Sequence, residues 1–379
     1  MHWVVRPHGS ADLVIRLATR ADEPDLRAFG GAADMPGAIR FAFERTPDYF
    51  EALRVEGRTS EVFVCRKGSD ARLVAAGHRS VKTAFVNGRP GVIGYLGGLR
   101  LDPSVRRRTL LARGYAYLRE RHQDGRAAFY LTTIMEDNLP ARAILESGRG
   151  GLPRYVGFGR FCCMALGLRA GQGAEPPDGI AMRSATPADA AMVVDFLERE
   201  GRRRQFFPQY SQTDFGAPGG LLADLQWSDV LLAVRGDTLV GTLASWDQRQ
   251  LRRWRVTGYT PWLRRLRPAV NLMARLRRMP RLPPPGEPVE CLVLSLPCVA
   301  GDDRRVFAAL VDESLRRGVG RCALVLAGLH EHDPLLPVLQ VRPHVALPSR
   351  LYAVAWEDGM PAVELLDRRR VPYLELGAL

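Results

Sequence analysis

Apolar residues in this chain fall into short blocks separated by Gly, Pro and Asn-Gly, and the spacing within each block predicts an alternation of strands and helices. Leu13 to Thr19 is a short strand, and Ala21-Asp22 opens a helix with Leu26 and Phe29 on one face. Ile39 to Val55 predicts a second helix that supplies Phe41, Phe43, Tyr49, Phe50 and Leu53 to the core. Val62–Cys65 and Leu73–Gly77 flank a turn at Gly68-Ser69-Asp70, which is a hairpin signal, and Asn87-Gly88 makes a second one. Val92 to Leu101 is then a buried strand that stops at Pro103, and Leu111, Tyr115 and Leu118 recur at helical spacing. Ala128 to Met135 is a buried strand. Asn138 to Ser147 is a helix with Ala141, Ile144 and Leu145 inward and Gly148 as its stop. Tyr155 to Leu166 is a last strand, and Arg169 to Asp178, rich in Gly and Pro, is a linker.

After the linker the pattern restarts. Arg183, Ala185, Thr186, Ala188 and Asp189 repeat Arg16, Ala18, Thr19, Ala21 and Asp22 at a constant offset. A hairpin recurs at Val230–Val234 and Leu239–Gly241. Val289–Leu296, a helix at Arg304–Arg317, a strand at Ala323–Ala327 and Leu351–Trp356 follow in the same order. One αβ unit is therefore present twice. The fold class expected is α/β (α+β), as two tandem units, each a mixed, mostly antiparallel sheet flanked by helices. The division is 1–168, a linker at 169–178, and 179–379 with an insertion at 248–286.

Composition narrows the class. Hydrophobic residues at 46% with 25% charged are globular, and 379 residues suffice for two domains. No apolar run of about 18 residues exists, so no membrane span is expected. The first residues lack a charged segment followed by a long apolar core, so no secretory signal is expected and the location expected is the cytoplasm. Six cysteines without a C-x-x-C pair are expected as buried thiols, with neither a disulfide framework nor a metal site. His330, Glu331, His332 and Asp333 lie together without an evident further ligand, and a solvated loop is expected there. The net charge of +13 comes from 52 arginines against two lysines, Lys67 and Lys82. That bias suggests a GC-rich bacterial genome, and the excess favours anionic partners.

The chemistry concentrates in Val92–Arg119. A strand that turns into a helix leaves free N–H groups at the helix start, and Arg106, Arg107 and Arg108 stand beside them. This is a candidate pyrophosphate site; a basic helix start facing water is the other reading. Gly97, Gly98 and Leu99 are placed for a break in the strand ladder, with or without a ligand.

Leu101-Asp-Pro103-Ser-Val-Arg106 and Asn138-Leu-Pro-Ala141, in this order, resemble segments of the GNAT-type N-acetyltransferase superfamily. The resemblance covers most of 13–167 and, more faintly, 180–357. It implies acetyl-CoA or another acyl-CoA as co-substrate, no metal, and an amine acceptor that is a small molecule or peptide. The cofactor-binding residues it implies are Leu99, Leu101, Arg106, Arg107, Arg108, Thr109, Leu110, Leu111, Asn138 and Ala141. Thr109 and Leu111 stand where the family has small residues, and Leu145 stands where many members have a tyrosine acid. Tyr155 is the candidate replacement acid, with Tyr95, Glu136 and Asp137 as further polar groups near the cleft. Asn138 also suits a plain helix N-cap. The second unit has Asp302 and Asp303 where the arginines would be, and is expected to support the first or shape its acceptor site. A non-catalytic CoA-binding or scaffold protein on the same fold is the alternative function.

The insertion carries eleven arginines and no acid, with Trp254, Tyr259 and Trp262 among them. Leu263, Leu266, Val270, Met273 and Leu276 predict an apolar helical stripe interrupted near Pro268. A surface helix that packs on the domain and snorkels its arginines fits this pattern. A lid over an acidic acceptor, and an amphipathic contact with membrane or nucleic acid, are the other readings, with nucleic acid the least favoured.

Overall fold

The computed structural model describes residues 13–32, 39–68, 72–105, 108–168, 175–277 and 279–379. In the first unit β1 (Leu13–Leu17) leads into α1 (Glu23–Ala32), followed by β2 (Ile39–Arg45), β3 (Thr59–Lys67), β4 (Arg72–Val86) and β5 (Arg89–Leu101). Then come α2 (Arg108–His122), β6 (Tyr130–Met135), α3 (Leu139–Leu145) and β7 (Arg154–Leu166). The second unit runs β8 (Ile180–Ser184), α4 (Ala190–Gly201), the short β9 (Phe215–Gly216) and β10 (Leu222–Ala223), β11 (Val230–Arg235) and β12 (Thr238–Trp246). It continues through β13 (Arg252–Tyr259), α5 (Pro261–Leu276), β14 (Cys291–Val299), α6 (Arg304–Gly318), β15 (Leu324–His330), α7 (Leu336–Gln340), β16 (His344–Ala355) and α8 (Met360–Glu364).

The repeated sequence motif has a physical basis. Arg16 grips Asp22 with two hydrogen bonds of 2.7 and 2.8 Å, and Asp22 accepts the Thr19 backbone N–H at 2.8 Å. Arg183, Asp189 and Thr186 build the same arrangement, at 2.8 and 2.5 Å to the arginine and 2.8 Å to the threonine N–H. Each is a first-turn cap with a charge-assisted fork behind it, so the motif fixes the strand-to-helix corner that opens each unit. The arginine hydrogen bonds hold both carboxyls far below the usual carboxylate range, although partial burial opposes the shift.

One twelve-stranded sheet runs through the molecule in the order β1-β3-β4-β5-β6-β16-β7-β15-β14-β12-β11-β8. Only β5–β6 and β14–β15 are parallel; the other neighbours in this sheet are antiparallel. The two halves exchange their last strands. β16 of the second unit lies against β6 of the first, and β7 of the first lies against β15 of the second. β7 and β16 pair with each other from Arg154–Ala355 to Leu166–His344. Helices cover the sheet: α2 and α3 over Leu96, Tyr130 and Val354, and α6 over β11, β12 and β14 through Phe307, Leu310 and Val311.

Ile39–Val55, expected as a helix, is instead the strand β2 followed by a short 3-10 turn at Glu51–Leu53. Among the described residues its strand partner is β13 from the insertion, paired from Ile39–Tyr259 to Arg45–Arg252. Trp254 sits 4.7 Å from the Phe43 ring and 6.2 Å from Phe41. A pairing that distant in sequence, sealed by aromatic cross-strand contacts, overrides local spacing.

Candidate functional site

The site is built where the sheet opens. β5 and β6 pair at Gly94–Tyr130 and Tyr95–Leu131 and then part. Side chains span the opening beyond: the Thr132 hydroxyl donates to the Leu96 carbonyl at 2.8 Å, and the Tyr95 and Thr133 hydroxyls meet at 3.2 Å. On its other edge β5 slips by one residue against β4, between the Ala76–Arg100 and His78–Gly97 pairs. Gly98 takes up the extra residue with φ at 63°. The second unit has the same slip between Thr242–Cys298 and Ala244–Ser295, with Leu296 at φ 54°.

The bulge in the first unit makes room for an imidazole. A Cβ on Gly98 would lie 2.7 Å from His78 Nδ1, and one on Gly97 would lie 2.6 Å from His78 Nε2. Glycine is required at both places by close approach, and at Gly98 by its φ as well. His78 Nε2 meets Glu56 Oε2 at 2.5 Å. Glu56 Oε1 accepts from Arg45 at 2.8 Å and from Arg252 at 2.6 Å. His78 Nδ1 is buried with no hydrogen-bond partner among the described residues. Burial pushes the His78 pKa down, against the pull of Glu56, so the ring is neutral. Burial alone raises the Glu56 carboxyl, but the charges of Arg252 and Arg45 and the hydrogen bond from His78 outweigh it and hold Glu56 ionised. The carboxylate then fixes the Nε2–H tautomer and leaves Nδ1 with a free lone pair beside the bulge.

On the same face of β4 and β5 lies a narrow cavity of about 10 Å³, lined by Lys82, Ile93, Tyr95, Leu131, Phe206 and Glu375 among others. Burial pushes the Lys82 amine down to about 8, with Glu56 and Glu375 opposing. Burial pushes the Tyr95 hydroxyl up to about 12. The face is closed from the second half of the chain, by Arg252 of β13 and by Tyr373–Glu375.

The residues expected from sequence fall around the opening in different ways. Leu99 is exposed and Leu101 half-buried on the outer end of β5. Arg106 and Arg107 lie outside the described residues, and Arg108 opens α2. Thr109 is exposed, Leu110 is core against Cys65, Val74 and Val105, and Leu111 packs with Tyr115 and Leu118. No acidic side chain lies in the first turn of α2. In α6, by contrast, the Asp303 carboxylate accepts from the N–H groups of Arg305 at 2.8 Å and Val306 at 3.3 Å. Asn138 caps α3 by accepting from the Ala141 N–H at 3.3 Å. Leu145 is buried in the core under α2. Tyr155 sits there too, its hydroxyl 2.5 Å from that of Tyr115, and burial raises its pKa well above the ordinary value. Glu136 is held by Arg160 and Arg350 at 2.8 and 2.9 Å.

Glu56, His78, Arg45 and Arg252 carry no motif. A single histidine in a strand and one arginine among eleven give no sequence signal until the fold brings them together. His330 donates from Nε2 to the Phe158 carbonyl at 2.7 Å, and its Nδ1 accepts the His332 N–H at 3.2 Å, so its ring is spent on the backbone. Among the described residues no group of three or more His, Cys, Asp or Glu is placed to hold a metal ion.

No protein-family model matches the sequence, and no curated protein matches it either. Solved structures do. Saccharomyces cerevisiae N-myristoyltransferase with bound myristoyl-CoA is similar over 92% of this chain and 84% of its own, at 11% identity and a TM-score of 0.58. A tandem GNAT protein from the clavulanic acid biosynthesis pathway is similar over 91% of this chain and 98% of its own, at 15% identity and a TM-score of 0.52. A GCN5-related glucosamine N-acetyltransferase region of a fungal multi-domain β-N-acetylglucosaminidase is similar over 92% of this chain at 12% identity and a TM-score of 0.56. This chain spans 39% of that fungal chain. The likeness shows the fold: two units in tandem, each with the fold of the GNAT proteins.

Proposed function

We propose that this chain is an acyl-CoA-dependent N-acyltransferase, with acetyl-CoA as the donor and an amine of a small molecule or peptide as the acceptor. The observation that carries this reading is the opening between β5 and β6, with a neutral, unpartnered His78 Nδ1 at the bulge on the other edge of β5. A strand edge released from pairing offers backbone groups to an extended pantetheine arm, and the acid-free first turn of α2 offers N–H groups to its pyrophosphate. Arg106, Arg107 and Arg108 are assigned to the phosphates, with Thr109, Leu110 and Leu111 contributing backbone. Leu99, Leu101, Asn138 and Ala141 flank the arm.

In the reaction the acceptor nitrogen bonds to the thioester carbon, and the carbon–sulfur bond breaks. His78 Nδ1 takes the proton that the amine loses. Glu56 holds the imidazole in the tautomer that can do so and stabilises the imidazolium that forms. Tyr155 is assigned as proton donor to the leaving thiolate. The unit at 179–379 is assigned a supporting role. Asp303 fills the α6 first turn that a phosphate would need, while Arg252 and Glu375 close the acceptor face of the unit at 1–168.

Calorimetric titration of the full chain with CoA tests the binding half of the proposal. Saturable binding that weakens at least about tenfold in Arg106→Ala with Arg108→Ala is expected, from lost charge-assisted phosphate contacts. No binding by the wild type defeats the enzyme reading, and binding indifferent to the arginines moves the site elsewhere. Thiol release from acetyl-CoA across a panel of amines tests the rest. Binding without turnover on any acceptor favours the scaffold reading, which Leu145 at the family's tyrosine position supports.

A further inference from the structure

The apolar stripe that the sequence places along α5 divides in the structure. Leu263 and Ala274 are buried and Val270 is half-buried against Val256 and Tyr259. Asn271 locks this side down through two hydrogen bonds with the Leu282 backbone, at 3.0 and 2.8 Å. Trp262, Leu266, Met273 and Leu276 point away from the body, with exposures of 58%, 51%, 47% and 72%. Their spacing of four, seven and three residues puts them, with Ala269, on one line along the helix. A tryptophan and three long aliphatic side chains thus form a ridge in water although the helix is already anchored elsewhere.

The ridge is bordered by charge of one sign. Arg264, Arg265, Arg275 and Arg277 are exposed, and none has an ion-pair partner among the described residues. Arg249, Arg252 and Arg255 of the same insertion are each paired, with Glu290, Glu56 and Glu44. Arg265 and Arg277 stand to either side of the ridge, Arg264 and Arg275 lie on the helix face behind it, and no acid occurs between 248 and 286 to neutralise them. No helix among the described residues is long and apolar enough to cross a membrane. α5 has sixteen residues and is about 24 Å long at 1.5 Å per residue. Its geometry suits lying in an interface: tryptophan and aliphatic groups at the acyl boundary, guanidiniums at the headgroups.

We propose that α5 docks the protein on an anionic lipid surface, with Trp262, Leu266, Met273 and Leu276 inserted, Arg265 and Arg277 on the headgroup phosphates, and Arg264 and Arg275 adding to the positive field from the face behind. The charge complementarity selects lipid over an apolar protein groove, which would leave the guanidiniums beside the ridge unanswered. This docking stands apart from the acyltransferase reading and needs no turnover.

Co-sedimentation of the full chain with phosphatidylcholine vesicles, with and without phosphatidylglycerol, tests it. Binding to the anionic vesicles is expected to exceed that to neutral ones by at least about tenfold, and to weaken as salt rises. Leu266→Glu with Met273→Glu is expected to reduce it at least about tenfold by removing apolar insertion. Both positions are exposed, so folding survives; an unchanged melting temperature verifies that. A blue shift of tryptophan emission on vesicle addition that disappears in Trp262→Phe places the ridge in the bilayer. Absence of binding at low salt overturns the proposal. So does binding unaffected by the glutamate pair, which makes the contact electrostatic alone. A dimer in light scattering that the glutamate pair abolishes, without vesicle binding, overturns it in favour of a second copy of this chain.

Discussion

His78 is the base in the proposed reaction, and its behaviour with pH follows from its surroundings. Burial, opposed by Glu56, lowers its pKa below the ordinary 6.5, so the ring is neutral in the folded chain. The unfolded chain takes up this proton at about 6.5, before the folded chain does. The stabilisation is therefore complete above that value and is lost as pH falls from it toward the folded pKa. His330, lowered chiefly by burial, adds a slope of the same sign. Denaturant titrations across this window are expected to show stability falling with pH, with a smaller slope in His78→Gln. In turnover, the acid limb of kcat/KM is expected below the ordinary imidazole value, with a flat profile above it. His78→Gln is expected to lower kcat by roughly 100-fold or more at unchanged CoA affinity. A variant within a few-fold of wild type removes His78 as the base. None of this was legible in the sequence, because Glu56, His78 and Arg252 meet only through the packing of β4 against β5 and of β13 against β2. By contrast the recurrence of Arg16, Thr19 and Asp22 as Arg183, Thr186 and Asp189 was legible, and the structure shows it to be an ion-paired cap that closes within seven residues in each copy.

Among the elements, the bulge in β5 does most to define the site, and it recurs in β14. Gly97-Gly98 announces it in the first unit, whereas Leu296 holds the corresponding left-handed position with no glycine to mark it. Backbone geometry thus outlasts its sequence signal in the second copy. Ile39–Val55 failed for a related reason. A short apolar block with aromatic residues fits a helix or a strand, and its strand partner β13 is some two hundred residues away, as the Arg45–Arg252 pair shows. The bulge offers a local test. Gly98→Val adds a β-branched side chain at φ 63°, within 2.7 Å of His78 Nδ1. It is expected to cost about 2 kcal/mol or more in urea denaturation, from backbone strain and the displaced imidazole. Gly157→Ala in β7, where a Cβ meets nothing within 4 Å, is the control, expected to stay within about 0.5 kcal/mol. Equal effects at the two glycines contradict the tight fit described for the bulge.

At the scale of the whole molecule the two copies are consecutive in sequence and interlocked in space. The repeat and much of the order of elements were readable, because each copy carries its own apolar pattern. The exchange of β7 and β16 was not, since both strands look alike to a local pattern whichever half they complete. It has a consequence for any attempt to study one copy alone. A fragment ending at residue 168 keeps β6 and β7 but loses β16, which pairs with β6 from Met135–Ser349 to Tyr130–Val354 and with β7 along its length. It also loses β15 from the other side of β7, β13 from β2, and Arg252 from the buried Glu56. Freed edges on β2, on β6 and on both sides of β7, with an incompletely paired buried carboxylate, remain, and each favours aggregation or unfolding. Residues 1–168 expressed alone are therefore expected to be insoluble or to associate through β7. Co-expression with 179–379 is expected to restore a one-to-one complex that melts cooperatively and recovers whatever CoA binding the full chain has. A monomeric 1–168 fragment with native-like circular dichroism and a single sharp melt contradicts this. It would mean that β7 can close the first unit directly against β6, so that the exchange is one of two arrangements the chain supports rather than the one its stability requires.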